Sequence, residues 1–180
     1  MALSSRSRRG MPGADAPLAP IQFRLEGREE QVMTEDGRCL RGRGYLICDA
    51  KTGVPLGEDD FFFRIGGGIV CDLSGAERHF DDLQSDAFRP GESLLLVRCP
   101  AANELDPAVI EVRDAAGLVT VGELSPEVAD AVAFQGTDTY RAAFCLWEWR
   151  TESGQRFALR LLLAPGWTVE QIAEEPAVPS

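Results

Sequence analysis

The groups best placed to do chemistry surround the loop CPAANELDPA, from Cys99 to Ala108. It carries an amide, Asn103, and a carboxylate, Asp106. The guanidinium of Arg98 stands just before it. A polar loop of this length between apolar segments is either a long connection or a binding loop on a rigid scaffold. Its residue types suit hydrogen bonding rather than bond breaking. Elsewhere the signals for catalysis are weak. Asp59-Asp60 and Asp81-Asp82 are adjacent pairs, and on a strand each would point to opposite faces, so neither makes an acid/base couple. His79 is the only histidine. Paired with Cys71 it would be a base beside a nucleophile, but no carboxylate is placed to orient it. Gly66 to Gly68 lack the G-K-[ST] and the following helix of a phosphate loop, and read as a strand kink. Five cysteines, an odd number with no C-x-x-C pair, indicate neither a zinc site nor a disulfide framework. The expectation is a non-enzyme with free thiols and with no metal and no cofactor.

The elements that must position the loop follow from apolar patterning. Leu94 to Val97 is a short apolar run of the kind a buried strand needs. After the loop the chain re-enters a strand at Val109 to Val112 and turns over Asp114 to Gly117. It runs on through Leu118 to Val121, where Gly122 is expected to break the strand. Ser125-Pro126-Glu127 is an N-cap, a first-turn proline and a dipole-compensating acid, so a helix starts there. Upstream, 21–50 reads as a two- or three-strand meander. Its turns fall at Glu26-Gly27, Asp36-Gly37 and Lys51 to Gly53, with a tight bend at Gly42 and Gly44. Phe61 to Ile65 is a strand, and His79 to Phe88 a short helix closed by Arg89-Pro90-Gly91. Ala142 to Arg150 and Gln155 to Leu163 form a hairpin around Thr151 to Gly154. Trp147 and Trp149 share a face, as a base-stacking surface or, more commonly for indoles on a sheet, as core. A last helix starts at Thr168.

The chain has 180 residues and a net charge of −11. Three arginines against one aspartate make the first twenty residues basic, which leaves −13 for the remainder. Such a body lacks the basic footprint of a nucleic-acid binder, although a local cluster such as Arg38, Arg41 and Arg43 can still bind. The bland alternative is that these arginines decorate a solvated strand and turn. No run reaches the ~18 to 20 apolar residues of a membrane helix. The basic N-terminus has no apolar stretch of the secretory kind, so the expected location is the cytoplasm and no membrane partner is expected. Arginine and alanine richness fits a GC-rich genome.

In order and identity these residues resemble the HIRAN domain. The matching positions are Pro90, Gly91, Leu94, Leu96, Arg98, Pro100, Asn103, Asp106, Ile110, Val112, Gly117, Val121, Gly122, Leu124, Pro126, Glu127 and Ala129. The resemblance covers about 61–168. Outside it, proline, glycine, serine and alanine content marks 1–20 as a disordered arm and the strand and turn signals mark 21–60 as a β-meander extension, so that the HIRAN-like domain spans 61–168, with a tail over 169–180. The resemblance implies a mainly β, barrel-like fold with two or three short helices. It also implies a non-catalytic module that recognises the 3′-hydroxyl end of single-stranded DNA in repair or replication, as in repair helicases. Other members are small bacterial proteins. On this resemblance Asn103 and Asp106 hold the terminal sugar, while Arg98 orients the loop or reaches a phosphate. Where the DNA-binding members carry aromatic or basic side chains, this chain has Leu105, Glu123 and Glu127. That motivates the alternative, a protein-interaction or adaptor domain that keeps the fold without DNA binding and faces a basic protein partner.

Overall fold

The structure, a computed structural model, describes residues 23–57, 62–65, 68–99, 109–134 and 142–163. Nine strands lie in one antiparallel sheet: β1 (Phe23–Met33), β2 (Cys39–Asp49), β3 (Phe62–Ile65), β4 (Gly68–Asp72), β5 (Ser93–Cys99), β6 (Val109–Asp114), β7 (Thr120–Glu123), β8 (Ala142–Arg150) and β9 (Arg156–Leu163). The chain is mainly β, as its patterning predicts. β1 and β2 pair along their whole length, from Phe23 opposite Asp49 to Met33 opposite Cys39. Their turn falls at Asp36-Gly37, where the Arg38 amide donates to Thr34 Oγ1 at 3.0 Å. The turn expected at Glu26-Gly27 does not form, because Gly27 pairs with Tyr45 inside the ladder. At Gly42 and Gly44, where a bulged or tightly bent strand is expected, the β1–β2 register runs through without a shift, and Gly44 instead allows a close backbone approach. A Cβ there would lie 2.1 Å from the Leu146 carbonyl oxygen, and its φ of 143° suits glycine.

The main path runs β3-β4-β9-β8-β5-β6-β7. One edge of β8 is shared by two strands: Ala142 to Phe144 pair with β5, and Trp147 to Arg150 pair with β2. The β1–β2 hairpin is thereby joined to the sheet. The sheet does not close into the barrel that the resemblance implies. Its two ends are stitched at a single bridge, where Ser74, just past β4, and Glu123 exchange two backbone hydrogen bonds of 2.9 Å. The reason is local, since the chain turns at Gly75 into a 3-10 turn (Ala76–His79) before a second bridge can form. Gly122 does not break β7 but lies within it. A Cβ there would sit 2.5 Å from the Ser74 carbonyl oxygen, so only glycine lets the two backbones meet.

The helix expected over His79 to Phe88 is divided. α1 (Phe80–Leu83) ends, Ser85 adopts an extended conformation (φ −60°, ψ 146°), and its hydroxyl accepts from the Ala87 amide at 3.2 Å to start a second 3-10 turn (Asp86–Phe88). A serine that hydrogen-bonds the backbone ahead of it favours such a restart over helix continuation. α2 (Pro126–Phe134) starts where expected and buries Val128, Ala129 and Val132. No helix among the described residues is long and apolar enough to cross a membrane.

Two cores flank the sheet. The larger packs Leu94, Leu96, Ile110, Val112, Cys145, Leu159 and Leu161 against Leu83, Phe88 and α2. The second packs Phe144, Leu146, Trp147 and Leu162 under Leu25 and Ile47 of the hairpin. Each fully buried aliphatic side chain stabilises by about 1.5–3 kcal/mol. β8 carries a bulge that changes which of its residues face each core. Cys145 pairs with Leu161 and Trp147 with Arg160, so Leu146 is an extra residue. Beyond it the alternation is inverted. Trp147 follows Leu146 into the outer core, and Glu148 is turned inward.

Candidate functional site

Of the residues the sequence singles out, Arg98 is described, while Asn103 and Asp106 lie outside the described residues. Arg98 stands one residue before the end of β5, directly opposite Ile110, and is exposed. Strand alternation puts it on the face of Leu94 and Leu96, at the lip of the larger core where the 100–108 loop leaves. It has no ion-pair partner among the described residues, whereas most arginines here have one. The acids of the neighbouring strands stand on the other face of the sheet, with Glu111 opposite Val97 and Glu123 opposite Glu111, and both are engaged. Arg78 donates to Glu123 at 2.8 Å. Arg113 Nε donates to Glu111 at 2.9 Å, and this bond holds the Glu111 carboxyl below the usual carboxylate range. The lip therefore offers an exposed guanidinium with no ion-pair partner among the described residues.

A second group was not read as a unit from the sequence. Glu148 is wholly buried, and three arginines converge on it. Arg43 Nε and Arg150 Nε donate to Oε1, the latter at 2.8 Å. Arg156 Nε and, at 3.3 Å, Arg150 Nη2 donate to Oε2. Burial pushes the Glu148 carboxyl up, but the hydrogen bonds from Arg150, Arg43 and Arg156 outweigh it, and it is held below its ordinary value. Arg156 is itself fully buried. Its Nη1 donates to the carbonyls of Leu83 and, at 2.8 Å, Ser85. Gln84 completes the join: its Oε1 accepts from the Arg156 amide and its Nε2 donates to the Arg156 carbonyl, both at 2.8 Å. The cluster ties β2, β8 and β9 to the turn after α1. Arg43 is therefore committed to Glu148 although its side chain is half exposed, whereas Arg38, held by Asp36 at 2.6 Å, sits exposed on the turn. A glutamate inside an apolar strand, with arginines two and eight residues on, was the available signal.

The indoles lie on the outer face, with ring centroids 5.9 Å apart and edge to face. Trp147 is 5% exposed and belongs to the second core, which favours packing over base stacking. With Tyr45, Leu56 and the Arg160–Asp72 pair they wall a small cleft of about 240 Å³. All five thiols are free; burial pushes Cys71 and Cys145 up to about 12, the range of an unreactive thiol. No group of three or more His, Cys, Asp or Glu among the described residues is placed to hold a metal ion. Comparison with family models, with curated proteins and with solved structures gives no match.

Proposed function

We propose that the protein is a non-catalytic, HIRAN-like binding module that captures the 3′ end of single-stranded DNA in repair or replication, with Arg98, Asn103 and Asp106 as its contacts. The observation that carries this reading is the exposed Arg98, without an ion-pair partner among the described residues, at the lip from which the 100–108 loop leaves. Asn103 and Asp106 on that loop bind the terminal sugar hydroxyl, and Arg98 meets the adjacent phosphate through a charge-assisted bond. Free thiols suit a reducing compartment, and we place the protein in the cytoplasm.

The test is fluorescence anisotropy of a labelled single strand at low salt, comparing a free 3′-hydroxyl with a 3′-phosphate. The hydroxyl end should bind better. Asp106→Ala with the fold retained should weaken binding about 10- to 100-fold, the worth of one charged hydrogen bond. Equal binding of both ends, or binding indifferent to Asp106→Ala, refutes the reading.

One observation favours the alternative, a protein-interaction module facing a basic partner. β1 pairs only with β2, so its outer edge is unpaired among the described residues, and it exposes Glu29 and Glu30. A strand of a basic partner can add to such an edge. Under this reading single-stranded DNA does not bind even at low salt, and a lysine-rich peptide does.

A further inference from the structure

We infer that the groove between the β1–β2 hairpin and the 86–89 turn is an anion site that takes a phosphate group. It is a polar cavity of about 700 Å³ lined by Arg41, Arg43, Arg89 and Arg150 and also by Glu29, Glu30 and Asp86. The argument starts from the ladder. Arg41 of β2 pairs directly with Arg150 of β8, and like charges directly opposite repel. The carboxylate that might relieve this is already spent. Both oxygens of Glu148 accept from Arg43, Arg150 and Arg156, which fills the acceptor capacity of a carboxylate. The buried Nη2 of Arg156 has no acceptor among the described residues, but Arg156 does not line the groove.

Glu148 also acts as a positioning residue. By holding Arg43 and Arg150 at Nε, it fixes two guanidinium planes at the groove, while the Arg43 side chain stays 47% exposed. Arg89 is fixed in the same way by Asp86, through bonds of 2.6 and 2.9 Å, and remains 51% exposed. Arg41 is exposed and has no ion-pair partner among the described residues. Pre-oriented guanidiniums match the tetrahedral oxygens of phosphate in two-pronged contacts that lysine does not make. Counting the buried pair, five arginines meet four carboxylates here, a local excess of positive charge on a chain of net −11. Glu29 and Glu30 line the same cavity and repel an anion, so the arginines must hold the phosphate against them. The phosphate can be free, as in a pyrophosphate or nucleotide, or belong to a nucleic-acid backbone.

This site is independent of the strand-end reading. β8 pairs with β5 at its start and with β2 at its end, so Arg98 and Arg150 are separated by roughly 30 Å of strand.

The experiment is isothermal titration of the full chain with sodium pyrophosphate, with ionic strength held constant by chloride. Saturable binding is expected, weakened at least tenfold by Arg41→Ser with Arg89→Ser and unchanged by Arg98→Ser. Both groove substitutions are at exposed positions, and circular dichroism verifies the fold. Arg89→Ser alone serves should the double variant misfold. No binding at matched ionic strength, or binding that survives the groove variants, overturns the proposal. A second arm identifies the source: pyrophosphate that displaces a labelled oligonucleotide assigns the site to a backbone phosphate, and pyrophosphate that binds without displacing it assigns the site to a free one.

Discussion

Replacing Glu148 by glutamine tests the centre of the fold. The side chain is wholly buried, and it neutralises Arg156, which is buried too. Glutamine keeps the size but removes the charge, and it aims an amide N–H₂ at guanidinium donors. Breaking one partner of a buried ion pair costs about 3–5 kcal/mol, because the other charge stays behind unpaired. Against a total stability of about 5–15 kcal/mol for a domain, that is a large share. The assay is urea denaturation at pH 7 followed by far-UV circular dichroism. A loss below about 1 kcal/mol would refute the claim that this carboxylate holds the cluster together. pH gives a second handle. The Glu148 carboxyl is held below its unfolded value of 4.5, so its contribution is fully present above that pH and is lost as pH falls through the lower folded value. The difference between the wild type and Glu148→Gln should therefore be constant near neutrality and shrink on acidification below about pH 4.5. A difference that grows on acidification would mean that the carboxyl is protonated in the fold.

Other perturbations probe the rest of the architecture. Gly122→Ala drives a methyl group against the Ser74 carbonyl, so it should cost about 1–3 kcal/mol and speed hydrogen exchange at the Ser74 and Glu123 amides; unchanged exchange would mean that the stitch is not a real constraint. Gly44→Ala combines a backbone clash with an unfavourable φ, and a loss of at least about 2 kcal/mol in the same denaturation assay is expected. In native protein at pH 8, Cys71 and Cys145, with thiols near 12, should resist a disulfide reagent until urea is added, while the half-buried Cys39 reacts first. Rapid modification of all five thiols without denaturant would contradict the packing of both cores.

The strands and hairpin turns were legible because they depend on local pattern: apolar runs at 94–97 and 109–112, and turn residues at Asp114 to Gly117 and Thr151 to Gly154. What failed were features set by distant partners. Strict alternation through AAFCLWEWR puts Trp147 and Trp149 on the face of Cys145. The extra residue at Leu146 moves them to the opposite face and buries Glu148 instead. A bulge has no short-range signature comparable to a turn. Gly122 looked like a strand breaker because a glycine needed by a chain nearly fifty residues upstream is indistinguishable, in sequence, from one that ends an element. The arginines suffered the same fate, since Arg43 meets its carboxylate 105 residues away. Of the expected strand-end site, the structure describes Arg98 alone, at the lip that the strand–loop–strand pattern predicts.

Net charge describes the far field, and at physiological salt that field is screened beyond about 8 Å. A charge of −11 therefore slows the approach of a nucleic acid without deciding whether one is held. Salt dependence separates the two phosphate sites. Each phosphate neutralised on a single strand contributes a slope of about −0.7 to log affinity against log salt. End capture with Arg98 as the one cationic contact therefore predicts a slope near −1 or shallower, and relief of the long-range repulsion flattens it further. Engagement of Arg41, Arg43, Arg89 and Arg150 predicts about −3, and Arg41→Ser with Arg89→Ser should reduce it by roughly half. A steep slope that these groove substitutions leave unchanged would place the phosphate contacts of the strand on neither surface, refuting both end capture by Arg98 and a backbone phosphate in the groove.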